Sequence, residues 1–155
     1  MLTRIFELFR DTTGAEEQPS KEERVRIATA AIFVECAHAD EEFSPAEKEH
    51  VIETLRQRFQ LPQEEAEDLL RESKRSLKES SDLWTFTNTL NEALTLEEKT
   101  EIIEEAWRVI FLDGVLHAHE DYLIHKLARL LNLTHPELID AKMKVLDEVR
   151  NRPAP

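Results

Sequence analysis

Three short segments of this 155-residue chain each carry the start signal of an α-helix, and they constrain the fold more than any other feature. In each, a serine or threonine precedes a glutamate by three residues: Ser44-Pro45-Ala46-Glu47, Thr95-Leu96-Glu97-Glu98 and Thr134-His135-Pro136-Glu137. The hydroxyl caps the first turn, the glutamate accepts the backbone N–H of the capping residue, and proline suits an early helical position. Because the chain holds only 2 glycines, it has few residues for hairpin turns. The sequence therefore predicts an all-α protein.

Apolar residues at helical spacing extend this prediction to about seven helices. They are expected over residues 20–39, 45–59, 62–78, 82–94, 96–111, 118–131 and 135–151. Short connections make consecutive helices pack against one another, so the helices should form a compact bundle. The fourth helix is expected to bury Leu83, Trp84, Phe86, Leu90 and Leu94.

The chain divides into three predicted regions. Residues 1–19 read as a short amphipathic segment followed by a linker with Gly14 and Pro19, and the segment is expected to dock onto its own domain. Residues 20–150 form the helical domain, and residues 151–155 form a tail.

Charge narrows the classes of partner. The 33 acidic residues outnumber the 20 basic ones, which gives a net charge of −13, and such a surface repels nucleic acid and anionic lipid. We expect an unidentified protein partner, or cations, and no nucleic acid. No apolar run reaches the roughly 18 residues of a membrane span, so we expect a cytoplasmic protein without an integral span. Peripheral membrane association and the oligomeric state stay open. The single cysteine, Cys36, has apolar neighbours and is predicted to be a packed thiol.

The first helix pair resembles the fifth and sixth helices at a constant offset of 73 residues. Asp40 aligns with Asp113 and Glu47 with Glu120, while apolar positions such as Val34 and Trp107 align with each other. Each unit reads as a helix, an aspartate, a loop and a glutamate in the first turn of the next helix. Two similar helical hairpins in a small bundle are expected to pack about a pseudo-twofold axis, which would bring both loops to the same end of the molecule.

Four carboxylates that converge at one end repel one another unless a cation or protons intervene. Hard divalent cations prefer oxygen ligands, so Asp40, Glu47, Asp113 and Glu120 are candidate metal ligands. Helix capping competes with this interpretation, because Glu47 is also the capping-box partner of Ser44. Capping explains Glu120 less well, since the N-cap residue there is His117, a poor capping residue.

The two loops also resemble a known family. Residues 39–47 (ADEEFSPAE) and 112–120 (LDGVLHAHE) resemble the paired motifs of the tellurite-resistance TerB-like family, and the resemblance covers about residues 24–149. It implies an all-helical domain with an internal duplication. It also implies a divalent cation held by Asp40, Glu47, Asp113 and Glu120. The first loop departs from the family pattern because Glu41 stands where glycine is usual, and Glu41 or Glu42 could add a ligand.

The histidines leave further alternatives. His117 and His119 flank the second loop and are candidate supplementary ligands, which would favour zinc over calcium, magnesium or manganese. His125 is expected to be partly buried and hydrogen-bonded, and His135 to be solvated. Glu35-x-x-His38 and Glu47-x-x-His50 match the spacing of di-iron carboxylate oxidoreductases, but neither pair lies squarely on the apolar face of its helix.

These observations favour one function over two others. The chain is predicted to be a non-catalytic helical module that binds a divalent cation, and the family resemblance implies a role in stress response through protein partners. The first alternative is a metal-independent adaptor whose acidic residues serve only as helix caps. The second is a di-iron enzyme, for which the sequence shows no recognisable catalytic pocket.

Overall fold

The computed structural model describes residues 19–38, 44–80, 82–113 and 116–151, without the side chains of His38 and Asp113. These residues form seven α-helices and no β-strand. In chain order the helices are α1 (Lys21–His38), α2 (Pro45–Phe59), α3 (Gln63–Glu79), α4 (Trp84–Ala93), α5 (Leu96–Ile110), α6 (Ala118–Leu130) and α7 (His135–Arg150). A single 3₁₀ turn, Phe111–Asp113, follows α5. The all-α prediction is confirmed.

The three capping segments start helices at the predicted residues. Ser44 Oγ accepts the Glu47 N–H at 3.1 Å, and Glu47 Oε1 accepts the Ser44 N–H at 3.0 Å. The same reciprocal pair of hydrogen bonds opens α5 at Thr95 and α7 at Thr134. These local bonds satisfy backbone donors that a helix start leaves without partners.

Helix α1 lies at the centre of the bundle. It packs against the five helices α2 to α6. Such a position requires a helix whose middle is apolar nearly all round, and the fully buried residues in the middle of α1 include Ala30, Ala31, Ile32 and Phe33. Its alanines leave room for neighbouring backbones to approach closely.

Helix α5 organises the second half of the chain by packing against α6, α7 and α1. Trp107 on α5 is fully buried and stacks on Phe111, with 5.4 Å between the ring centroids. Val34 belongs to the same core. The prediction that Trp107 and Val34 share one core is confirmed, while the pseudo-twofold relation between the two hairpins stays a prediction.

The predicted burial of Trp84 is wrong. Helix α4 begins at Trp84, whose backbone N–H donates to Asp82 Oδ1 at 2.9 Å, and 58% of the residue is exposed. Phe86 and Leu90 face the core, and a residue two positions before Phe86 lies about 200° away around the helix. Trp84 therefore points away from the core, and Thr87 is buried instead.

Residues 1–18 and 152–155 lie outside the described part of the chain. The expected amphipathic segment, its linker and the tail therefore stay predictions. Within the described ranges, no helix is both long enough and apolar enough to cross a membrane.

Candidate metal centre

Glu47 stands in the first turn of α2, as the motif predicts. One of its carboxylate oxygens, Oε1, is engaged by the Ser44 N–H. The residue is half-buried. Local sequence fixes this position, because Ser44 and the proline after it begin the helix where the capping hydrogen bonds can form.

Glu120 stands at the matching position of α6 but in a different environment. Its Oε1 accepts the His117 N–H at 3.1 Å. Glu120 therefore caps the helix backbone, although the histidine at the N-cap position had made this role less expected. Only 4% of the residue is exposed. A carboxylate buried this deeply is costly unless it is paired with a cation, protonated or well hydrogen-bonded.

The two glutamates line the same cavity. Its volume is about 270 Å³, and its walls come from the starts of α2 and α6 and from the end of α5. The lining residues are Ser44, Ala46, Glu47, Val109, Ile110, Leu112 and Glu120. The structure thus brings together two of the four predicted ligands, one from each helical hairpin, among otherwise mostly apolar neighbours.

Cys36 lies close enough to this cavity to respond to Glu120. Burial, followed by the negative charges of Glu35 and Glu120, raises the pKa of the Cys36 thiol far above its usual value. The thiol therefore stays protonated at neutral pH and is a poor nucleophile and metal ligand. The prediction of a packed thiol is confirmed, and the donors on offer at this cavity are oxygens.

The two aspartates of the predicted cluster fall where the structure gives no side chain. Asp40 lies outside the described residues, and Asp113 ends the 3₁₀ turn without a described side chain. Among the side chains that are described, no group of three or more His, Cys, Asp or Glu residues is arranged to hold a metal ion. The four-carboxylate cluster accordingly stays a prediction.

The histidines contribute little to this cavity. His117 and His119 are exposed, and neither lines it. His125 Nδ1 lies 2.8 Å from the Asp121 carbonyl oxygen, which confirms the expected hydrogen-bonded, partly buried histidine. His135 is exposed as expected, although its ring lies 5.7 Å from that of His125. In the described part of the chain, neither Glu-x-x-His pair takes part in a ligand cluster.

Sequence reasoning missed one buried charge that shapes the end of α6. Lys99 is 8% exposed, and its Nζ donates to the Leu131 carbonyl at 2.8 Å and to Asn91 Oδ1 at 3.1 Å. Asn91 Nδ2 donates in turn to the Leu130 carbonyl. A lysine on the apolar stripe of α5, one turn before Ile102 and Ile103, was the available signal, since a buried ammonium needs oxygen acceptors.

The fold and this cavity define the class of protein: an all-helical module in which one cavity is lined by two glutamates, each from the first turn of a helix. A family model described as "Tellurite resistance protein TerB" matches residues 26–143, well over half of the chain. The chain therefore belongs to the TerB family. Comparisons with curated proteins and with solved structures gave no match.

Proposed function

We propose that this TerB-family chain is a non-catalytic module that binds a divalent cation through the carboxylates of Asp40, Glu47, Asp113 and Glu120. One observation carries the proposal: Glu120 is 4% exposed and lines the same cavity as Glu47. Two carboxylates in one cavity with a largely apolar wall repel each other, and a divalent cation between them removes this cost.

The chemistry of the donors selects the cation. Carboxylate oxygens, with water completing the coordination shell, suit calcium, magnesium or manganese. Zinc is the less supported choice, because His117 and His119 do not line the cavity and the Cys36 thiol is held protonated. The cation would bridge α2 and α6 and thereby stabilise the end of the bundle at which these two helices begin.

The biological role in this proposal is a stress response exerted through a protein partner in the cytoplasm. The family membership and the strongly acidic composition support it. A partner with a basic surface would complement the net charge of −13.

A metal-independent adaptor is the second candidate, and a specific observation favours it. Both cavity glutamates accept a backbone N–H at a helix start, from Ser44 and from His117. In this alternative the carboxylates only cap α2 and α6, and the partner binds elsewhere on the surface.

Thermal unfolding in chelator and in millimolar calcium, magnesium or manganese separates the two candidates. A cation at about 100 times its dissociation constant adds about 2.7 kcal/mol of stability, which corresponds to a rise of roughly 10 °C in melting temperature for a domain of this size. Glu120→Gln and Asp113→Asn should each remove the increment. Glu137→Gln is the matched control, because Glu137 caps α7 in the same way but does not line the cavity.

The outcomes are distinct. Cation-dependent stabilisation that survives in Glu137→Gln and disappears in Glu120→Gln supports the metal site. No shift with any of the three ions, together with no calorimetric heat beyond dilution, rules out the ligand assignment and leaves the adaptor. A shift that persists in Glu120→Gln places cation binding at another part of the surface.

A further inference from the structure

A second cavity lies at the opposite end of α1, α2 and α5 from the Glu47 and Glu120 cavity. Its volume is about 410 Å³, within the roughly 300–1,000 Å³ range of small-molecule sites. The residues that line it are Val25, Thr29, Arg58, Phe59, Leu94, Glu98 and Glu101. It draws on the start of α1, the end of α2 and the start of α5, whereas the first cavity draws on the other ends of α2 and α5.

One wall of this second cavity is apolar and well supported. Val25, Phe59 and Leu94 are partly buried and pack against the core. The Arg26 guanidinium lies over the Phe59 ring, 5.6 Å from its centroid, and helps to hold the ring in place. Such a wall suits a short aliphatic group and favours its removal from water.

The remaining lining presents both signs of charge. Arg58 Nη2 donates to the Glu98 carbonyl oxygen at 3.3 Å. Its positive charge also acts on the carboxylates of Glu98 and Glu105, although within the described residues neither lies within ion-pair distance of the guanidinium. Glu101 is exposed, and its carboxylate has neither a hydrogen bond nor an ion pair in the part of the chain that the structure describes. Glu98 keeps Oε1 on the Thr95 N–H. The cavity is thus lined by a guanidinium and a carboxylate that can each form further hydrogen bonds, Arg58 as a donor and Glu101 as an acceptor.

This combination disfavours three simpler kinds of ligand. A metal cation would be repelled by Arg58, and a phosphate by the two glutamates. A purely apolar ligand would remove Arg58 and Glu101 from water without replacing their hydrogen bonds. The lining complements a molecule that joins an ammonium, a carboxylate and a short apolar body.

We propose that the cavity between Arg58, Phe59 and Glu101 binds a small zwitterion of the apolar α-amino acid class. The carboxylate of the ligand lies against the Arg58 guanidinium, and its ammonium lies against Glu101 with Glu98 nearby. Its aliphatic side chain packs on Val25, Phe59 and Leu94. This site shares no residue with the Glu47 and Glu120 cavity, so it can be tested independently of the metal proposal.

L-Leucine is the probe, titrated into the full ¹⁵N-labelled chain in the presence of chelator and followed by NMR. Saturable shifts should map to the start of α1, the end of α2 and the start of α5. Three analogues each remove one feature: leucinamide lacks the carboxylate, N-acetyl-leucine lacks the ammonium and glycine lacks the apolar body. Each should bind about tenfold or more weaker, as expected for the loss of a charge-assisted hydrogen bond or of apolar contact.

Variants assign the two charges. Arg58→Gln should weaken leucine but leave the residual binding of leucinamide unchanged, and Glu101→Gln should do the same for N-acetyl-leucine. Glu97→Gln and Arg129→Gln are matched controls on exposed positions that do not line the cavity, and they should bind as the wild type does. Thermal unfolding checks that each variant is folded.

Two results overturn the proposal. One is the lack of saturable shifts up to about 10 mM leucine, a concentration at which a site with a dissociation constant of about 1 mM would be roughly nine-tenths occupied. The other is equal binding of leucine, leucinamide and N-acetyl-leucine by the wild type, which would mean that the charges play no part. Because the analogue series uses the wild-type chain, the proposal remains testable if a variant does not fold.

Discussion

Glu47 and Glu120 occupy the same position, the third residue, of helices α2 and α6, yet their environments differ. Both accept a backbone N–H at the start of a helix. Glu47 is half-buried, whereas Glu120 is 4% exposed and its charge reaches the Cys36 thiol on the central helix. The same local motif therefore gives a conventional cap in one hairpin and a buried charge in the other. Under the metal-site proposal, a bound cation would therefore offset the larger desolvation cost at Glu120.

The largest expected effect on the free energy of unfolding comes from core substitutions, one in each helical hairpin. Trp107→Ala removes a fully buried aromatic side chain and should lower the free energy of unfolding by about 3–5 kcal/mol. Val34→Ala, at the equivalent position, removes two methyl groups and should cost about 1–2 kcal/mol. Denaturant titration measures both. A loss below about 0.5 kcal/mol for Trp107→Ala, the range of surface substitutions, would contradict its place in the core.

The next effect tests the two glutamates directly, in chelator at neutral pH. Glu120→Gln removes a buried negative charge and keeps an acceptor for the His117 N–H, so it should raise the free energy of unfolding by about 1 kcal/mol. Glu47→Gln should lower it slightly, by under about 0.5 kcal/mol, as expected for a half-buried helix cap. If both variants lower stability to the same small extent, the two carboxylates are equivalent caps and the adaptor gains support.

The capping glutamates of α5 and α7 show what such a residue does away from the cavity. Hydrogen bonds from the backbone N–H of Thr95, and then from its hydroxyl, lower the pKa of Glu98 below its usual 4.5, and Thr134 does the same for Glu137. A lowered folded-state pKa contributes stability that is present above pH 4.5 and is lost as the pH falls through the lowered value.

Glu98→Gln and Glu137→Gln should each therefore flatten the acid side of the melting-temperature profile below about pH 4.5. Above pH 5 the variants should lose a small, constant increment relative to the wild type. An unchanged acid slope in both variants would show that these capping hydrogen bonds do not favour the ionised carboxylate.

The smallest expected effect concerns the segment that precedes the domain. Deletion of residues 1–19 should change the free energy of unfolding by less than about 0.5 kcal/mol if they are a linker with a loosely docked amphipathic stretch. Calorimetry on the shortened chain checks this. A large loss of stability would show instead that Ile5, Phe6 and Phe9 complete the core.

Much of the fold could be predicted because its signals are local. A capping box lies within one turn of helix, so Ser44, Thr95 and Thr134 identified three helix starts without knowledge of the rest of the chain. Trp84 could not be placed this way. A side chain at the first position of a helix is buried or exposed according to where α4 begins, and the aligned Phe86 and Leu90 decide which side faces the core.

The candidate site, too, was predicted from the sequence only in part. The repeat offset selected Glu47 and Glu120, and the bundle places both on one cavity. The second cavity was not predicted, because Arg58, Glu101 and Val25 come from three helices and share no sequence pattern. The burial of Asp68 and Glu72, whose carboxylates pair with the exposed Arg71 and Arg75, was not predicted either, since α3 reads as a uniformly charged helix.

By itself, the sequence determined the all-α class, the starts of α2, α5 and α7 and the pairing of two acidic motifs, because each depends on bonds within a turn or on a repeat visible in the chain. Only the tertiary structure decided that Glu120 is buried while Glu47 is half-exposed. It also decided that Lys99 closes the end of α6, and that Arg58 and Glu101 meet at one cavity. Burial depends on which neighbours cover a residue, and here those neighbours are the apolar helix α1 and the helices around it, far away in sequence.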